Sequence, residues 1–156
     1  MTLLAAALMS MLSAAAAERP AVVVNAPDTP VRLDRATVLN AAEGPPLLYY
    51  AATNVTGDEF EVFMVTAFVF DSGGTLKARQ TAPGRRTLAP RETKYSALVL
   101  DGSAIAPTDI IVVGVNQAQR AATEAWWRGE LQQAATAAAA AAARPEKKPP
   151  VGQWEE

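Results

Sequence analysis

A group of basic side chains in the second half of the sequence is dense enough to bind a charged ligand. Six positive charges fall within residues 77–94 and are opposed only by Glu92: Lys77, Arg79, Arg85, Arg86, Arg91 and Lys94. Arginine predominates, and its planar guanidinium can bind a carboxylate or phosphate through two hydrogen bonds. If the segments that carry these residues are neighbours, they form a basic face for an acidic protein, an anionic polymer or lipid headgroups. The alternative is a solvated sheet edge that charge keeps soluble. The candidate partner-binding residues are Arg79, Arg85, Arg86 and Arg91.

Two adjacent tryptophans, Trp126 and Trp127, form the second candidate contact. They fall in a segment whose composition predicts a helix, where neighbouring side chains point about 100° apart. One ring can therefore pack on the domain while the other stays exposed to dock a protein partner or a membrane surface. The alternative is that both tryptophans anchor the helix to its own domain.

The composition argues against catalysis. Histidine and cysteine are both absent, which removes thiol nucleophiles, disulfides, histidine bases and metal sites built from either residue. No Ser-x-x-Lys spacing occurs, and the acidic run Asp58, Glu59 and Glu61 matches no calcium loop. We therefore expect no enzyme activity, no catalytic residues, no metal and no cofactor. The formal net charge of −2 also disfavours nucleic acid as a partner.

The first seventeen residues predict a secretory signal peptide. They carry no charge, contain an apolar run from Leu3 to Leu12, and end in small residues before Glu18. Cleavage between Ala17 and Glu18 would release a periplasmic or secreted protein. An uncleaved anchor is the alternative, although the run is shorter than the roughly 20 residues that a spanning helix needs.

The elements that must position these residues are strands. Residues 60–71 are β-branched or aromatic on both alternating faces, which indicates a central strand covered on both sides. Turn residues such as Gly73-Gly74 separate six or seven short strands, with no amphipathic helix between them. This pattern predicts an all-β fold, an immunoglobulin-like antiparallel β-sandwich over residues 31–116, after an extended lead-in at 18–30.

The composition changes after Asn116. Residues 117–143 lack proline and are mostly good helix formers, so we predict a C-terminal Ala-rich helix there. Its second half has almost no side chain to bury, which favours a solvated helix or a low-complexity linker. Residues 144–156 contain three prolines and balanced charge, and we expect a disordered tail.

The block from Leu47 to Leu100 resembles the FxLYD domain, an immunoglobulin-like sandwich of exported prokaryotic proteins. The residues that carry the likeness are Asn54, the strand Val62 to Phe70, Asp71-x-x-Gly74-x-Leu76, and Leu88-x-Pro90-x-Glu92-Thr93. The motif that names the family is replaced here by Ala67-Phe68-Val69-Phe70-Asp71, which keeps the aspartate and replaces the other three named positions, conservatively at Val69 and Phe70 but not at Ala67. The resemblance covers about a third of the chain and implies a fold but no site.

These observations favour an exported, non-catalytic binding or assembly module of the cell envelope that acts through contacts with a protein partner. The alternative is a carrier that holds a small ligand in an apolar pocket inside the sandwich.

Overall fold

The computed structural model describes residues 17–40, 43–101, 104–120 and 125–144, which form nine strands and one helix. The strands are β1 (Ala17–Pro20), β2 (Val22–Val23), β3 (Val31–Asn40), β4 (Leu47–Asn54), β5 (Val62–Phe70), β6 (Leu76–Pro83), β7 (Thr93–Val99), β8 (Ile110–Gln119) and β9 (Ala125–Trp127). The helix is α1 (Leu131–Ala143).

The strands form two sheets that pack face to face. Sheet 1 has the order β1-β3-β4-β7, and sheet 2 has the order β2-β8-β5-β6 with β9 also paired to β8. Neighbouring strands are antiparallel except β2 and β8, which run parallel with Val22 opposite Val112. This arrangement confirms the predicted all-β sandwich with a C-terminal helix.

Strand β5 lies in the middle of sheet 2, and both of its faces are buried, as its apolar alternation predicts. Phe63 and Val65 point into the core between the sheets, whereas Phe68 and Phe70 point to the opposite side. A central strand with two apolar faces needs a second layer outside the sheet. Helix α1 supplies that layer.

One face of the Ala-rich helix packs on sheet 2, so the prediction of a solvated helix or linker for the second half of residues 117–143 is wrong. Leu131, Ala135 and Ala139 repeat every four residues and are buried against Phe68 and Phe70. Alanine allows this because a small side chain lets the helix backbone approach the sheet closely.

The helix is also shorter than the composition predicts. Residues 117–119 continue β8, with Gln119 opposite Val62, and Trp126 and Trp127 lie on β9. Hydrogen bonding to strands distant in sequence outweighs the intrinsic preference of glutamine and alanine for helix. The helix therefore begins at Leu131 instead of residue 117.

The sandwich extends beyond the predicted range of residues 31–116 at both ends. The lead-in at 18–30 contains β1 and β2, which join different sheets, and β8 ends at Gln119. Most of the predicted signal peptide and all of the tail after Arg144 lie outside the described residues. Among the described residues, no helix is both long and apolar enough to cross a bilayer.

Candidate functional site

The two outer faces of the sandwich differ. Sheet 2 carries α1, whereas no described element covers the outer face of sheet 1. Alternation along β4 buries Leu48 and Tyr50 and turns Tyr49 outward, and the same alternation turns Tyr95 and Val99 of β7 outward. Tyr49, Tyr95 and Val99 are 44%, 69% and 42% exposed, respectively.

The strand register gathers these side chains into one patch. Leu47 lies between Leu39 and Val99, in the row next to the one that holds Tyr49. Tyr95 lies opposite Ala51, one row beyond Tyr49 on the same face. We call the surface formed by these side chains the tyrosine face: Leu39, Leu47, Tyr49, Tyr95 and Val99.

The free edge of sheet 1 beside this surface is partly capped by side chains. The Arg85 guanidinium Nε donates to the backbone carbonyl of Tyr95 at 3.1 Å, and Gln80 Nε2 donates to the carbonyl of Val99 at 2.6 Å. A strand added to β7 would have to displace both hydrogen bonds. The capping therefore disfavours the addition of another strand at this edge.

Basic residues surround the Tyr95 end of the tyrosine face. Arg35 lies opposite Ala51 in the row that contains Tyr95. Arg85, Arg86 and Tyr95 line an open cavity of about 570 Å³ beside β7. The sequence-predicted candidates Arg85 and Arg86 are thus brought together at this end.

Of the other four basic residues, Lys94 lines the same cavity, whereas Lys77, Arg79 and Arg91 lie elsewhere, so the six charges do not form one face. Arg79 lies on sheet 2 and donates to Gln132 Oε1 of α1 at 3.0 Å. Arg91 donates to the backbone carbonyl that follows β4. Lys77 is 2.5 Å from a carboxylate oxygen of Asp109.

The Lys77–Asp109 pair is a structural feature that local sequence patterns do not reveal. Burial raises the pKa of Asp109, but hydrogen bonds from Lys77 and the Ala106 amide, together with the charges of Lys77 and Arg19, outweigh burial and lower that pKa. Arg19 also donates to the backbone carbonyl of Asp109 at 2.5 Å. The pair and Arg19 tie β1, β6 and the residues before β8 together.

The two tryptophans differ in environment, but the element that carries them is strand β9 and not a helix. Trp127 is 65% exposed, whereas Trp126 packs on the core and its indole Nε1 donates to Asp28 Oδ2 at 3.1 Å. Trp126 and Phe60 line a groove of about 490 Å³ at one end of the sandwich. The Arg120 guanidinium lies 5.6 Å from the centroid of the Phe60 ring in the same groove.

The interior of the sandwich offers little space. A cavity lined by Ala67, Val69 and Leu100 measures about 20 Å³, well below the roughly 300 Å³ at which small-molecule pockets begin. In the part of the chain that the structure describes, no three acidic, histidine or cysteine side chains group together as metal ligands.

Comparisons with known proteins bear on the fold alone. No family model matches the chain, and no curated protein matches it. A crystal structure of a hypothetical protein from Peptoclostridium difficile 630 superposes with a TM-score of 0.52 at 9% sequence identity, covering 68% of this chain and 90% of that chain. The chain is therefore similar in fold to that protein, and the similarity carries no function.

Proposed function

We propose that this chain is an exported, non-catalytic binding module of the cell envelope that contacts a protein partner through the tyrosine face. The observation that carries the proposal is the contrast between the two outer faces. Sheet 2 is covered by α1, whereas the tyrosine face leaves Tyr49 and Tyr95 exposed next to each other. Tyrosine and arginine are enriched in protein interfaces, and both occur here.

We further propose that the sandwich is immunoglobulin-like. In immunoglobulin domains strands A, B and E share one sheet, and strands C, F and G share the other. The neighbouring strands β3, β4 and β7 correspond in order to A, B and E, and β5, β8 and β9 correspond to C, F and G. This order supports the resemblance to FxLYD domains, which are sandwiches of the same class.

The charges around the tyrosine face suggest the chemistry of the partner. Arg35, Arg85 and Arg86 surround its Tyr95 end, so a complementary surface carries carboxylates around apolar side chains. A second copy of this chain docked on the same face by a twofold axis would bring two basic ends together or set a basic end against the Leu39 end, where Glu18 supplies a single carboxylate. A different, acidic protein fits better.

The alternative of a small-molecule carrier with an internal pocket gains less support. The cavity between the sheets that Ala67 and Val69 line, about 20 Å³, is the size of a water site. A ligand of ordinary size would have to separate the two sheets.

Site-specific photo-crosslinking in intact cells tests the proposal. Benzoylphenylalanine at position 95 is expected to give one discrete adduct with another protein, and that adduct is expected to disappear when Arg35→Glu is added. The control position is Leu76, which is also an exposed apolar residue but lies on sheet 2. Equal adducts from both positions, no adduct from position 95, or an adduct of twice the chain's own mass would contradict the proposal.

Export is tested separately by mass spectrometry of the protein recovered from the envelope fraction. A mature chain that begins at Glu18 supports a cleaved signal peptide. Recovery of the full-length chain in the cytoplasmic fraction contradicts it.

A further inference from the structure

A polar cavity of about 210 Å³ lies where the beginning of α1 meets the outer face of sheet 2. The side chains that give the cavity its polar character are Thr66, Arg79, Thr81, Asn116, Arg128 and Gln132. Among the described residues, no aspartate or glutamate lines it, whereas Arg79 and Arg128 do. The cavity is distinct from the tyrosine face, which lies on the other sheet.

Hydrogen bonds hold the two arginines in place: Arg128 bonds to a residue outside the cavity, and Arg79 bonds to Gln132, which also lines it. The Arg128 side chain is 8% exposed and donates from Nη1 to the Val24 carbonyl at 2.8 Å. Arg79 donates from Nη1 to Gln132 Oε1 at 3.0 Å. A guanidinium has five N–H donors, so each arginine keeps further donors after these bonds.

One carboxylate lies close to Arg128 but outside the cavity. Glu130 Oε1 lies 3.4 Å from Arg128 Nε, but the Glu130 side chain is 62% exposed. Solvent weakens such a contact, so the positive charge of the cavity is only partly balanced.

The beginning of α1 adds positive potential. The helix has thirteen residues, and the N-cap Glu130 makes no side-chain capping hydrogen bond. No acidic residue occurs in the first turn. The first N–H groups of a helix and its dipole favour an anion at this position.

Hydroxyl groups complete the polar wall. Thr66 and Thr81 lie on the neighbouring strands β5 and β6, and their Oγ1 atoms are 2.8 Å apart. The volume equals that of about seven water molecules, which suits a small anion with a few waters better than a large organic molecule.

We infer that this cavity is a binding site for a small oxyanion, held by the guanidinium groups of Arg79 and Arg128 beside the N-terminus of α1. Phosphate and carboxylate groups share the required chemistry, since both present negatively charged oxygens to a guanidinium fork.

Isothermal titration of the full chain with phosphate, sulfate and acetate tests this inference, against sodium chloride at equal ionic strength. Saturable binding of at least one oxyanion is expected. Stronger binding of phosphate or sulfate identifies a tetrahedral ligand, and stronger binding of acetate identifies a carboxylate. Heat changes no different from those of chloride would overturn the inference.

Matched variants connect the binding to the cavity. Arg79 is an exposed side chain, so Arg79→Gln is expected to fold normally and to weaken oxyanion binding by about tenfold, as for the loss of a hydrogen bond to a charged group. Arg85→Gln removes the same charge from a position beside sheet 1. It is expected to change the affinity less than twofold, because solvent screens charges that lie far from the cavity. Unchanged affinity in Arg79→Gln, or an equal loss in Arg85→Gln, would show that the cavity is not the site.

Discussion

The ammonium of Lys77 lies 2.5 Å from Oδ2 of Asp109, and the Asp109 side chain is 3% exposed. The carboxylate also accepts a hydrogen bond from the Ala106 amide at 2.7 Å. An ionised carboxylate is tolerated at this depth because it is paired and hydrogen-bonded, and removal of its charge leaves the lysine without its partner.

The lowered pKa of Asp109 makes its contribution to stability depend on pH. A carboxyl group whose pKa is lower in the folded than in the unfolded state stabilises the fold above its unfolded pKa, and this contribution is lost as pH falls through the folded pKa. We expect Asp109→Asn to lower the free energy of unfolding by roughly 2 kcal/mol at pH 7. The difference from wild type should shrink as pH falls below about 4.

Urea unfolding at pH 7 and pH 3 measures this difference. The exposed Asp101 provides the control, because Asp101→Asn is expected to change stability by less than about 0.5 kcal/mol at either pH. A loss in Asp109→Asn that is equally large at both pH values would contradict the prediction.

Asn54 is fully buried and organises the crossing from sheet 1 to sheet 2. Its amide nitrogen donates to the carbonyls of Asp58 at 2.6 Å and Leu88 at 3.1 Å, and its oxygen accepts from the Thr56 amide at 2.9 Å. Asn54→Ala leaves these buried groups without partners, so we expect a loss of about 3 kcal/mol in chemical denaturation. Thr56→Ser keeps the hydroxyl and should cost under about 1 kcal/mol; equal losses in the two variants would refute the role of Asn54.

Gly114 of β8 lies close to Leu131 of the helix and to Val24, the residue after β2. A Cβ atom there would lie 2.6 Å from Leu131 Cδ1 and 2.9 Å from the Val24 carbonyl oxygen. The backbone oxygen cannot rotate away, so Gly114→Ala should destabilise the protein by about 1–3 kcal/mol. Gly57→Ala is the control, since a Cβ there has no neighbour within 4 Å. A thermal-unfolding experiment that ranks the two variants equally would contradict this account.

Every fourth residue of the helix packs on sheet 2, and one substitution on each face of the helix tests this arrangement. Ala139 is fully buried against sheet 2, whereas Ala137 faces outward. We expect Ala139→Glu to lower the free energy of unfolding by about 2 kcal/mol or to release α1 to proteolysis, because it buries an unpaired charge. Ala137→Glu should change stability by less than about 0.5 kcal/mol. Equal protease sensitivity of the two variants would argue against the packed helix.

The sequence predicts those parts of the fold that depend on local patterns. Strand β5 is predicted within about two residues at each end because its β-branched and aromatic residues need burial on both faces. The basic residues also suggest a solvated sheet edge, and Lys77 and Arg79 do lie on β6 at the edge of sheet 2. Turn residues such as Gly74, which has φ of 86°, mark where strands end.

The parts that depend on distant contacts could not be predicted from local patterns. Residues 117–119 have the composition of a helix, yet they pair with β5, more than fifty residues earlier in the chain. No local pattern in the sequence predicts the exposed tyrosine face either, since Tyr49 and Tyr95 become neighbours only through the β4–β7 register. The basic cluster failed as one face for the same reason, because Arg79 on β6 bonds to helix α1, whereas Arg85 in the loop after β6 bonds to the Tyr95 carbonyl of β7.

The pairing of β2 with β8 sets the order in which the chain can complete its fold. Val22 and Val112 are neighbours in sheet 2, and Arg19 bonds to a backbone carbonyl 90 residues further along the chain. Closing so long a loop costs entropy and slows folding. In a chain that becomes available for folding from its N-terminus onward, β1 can pair with β3 early. Strand β2 and Arg19 can make their contacts only after the residues up to β8 are present.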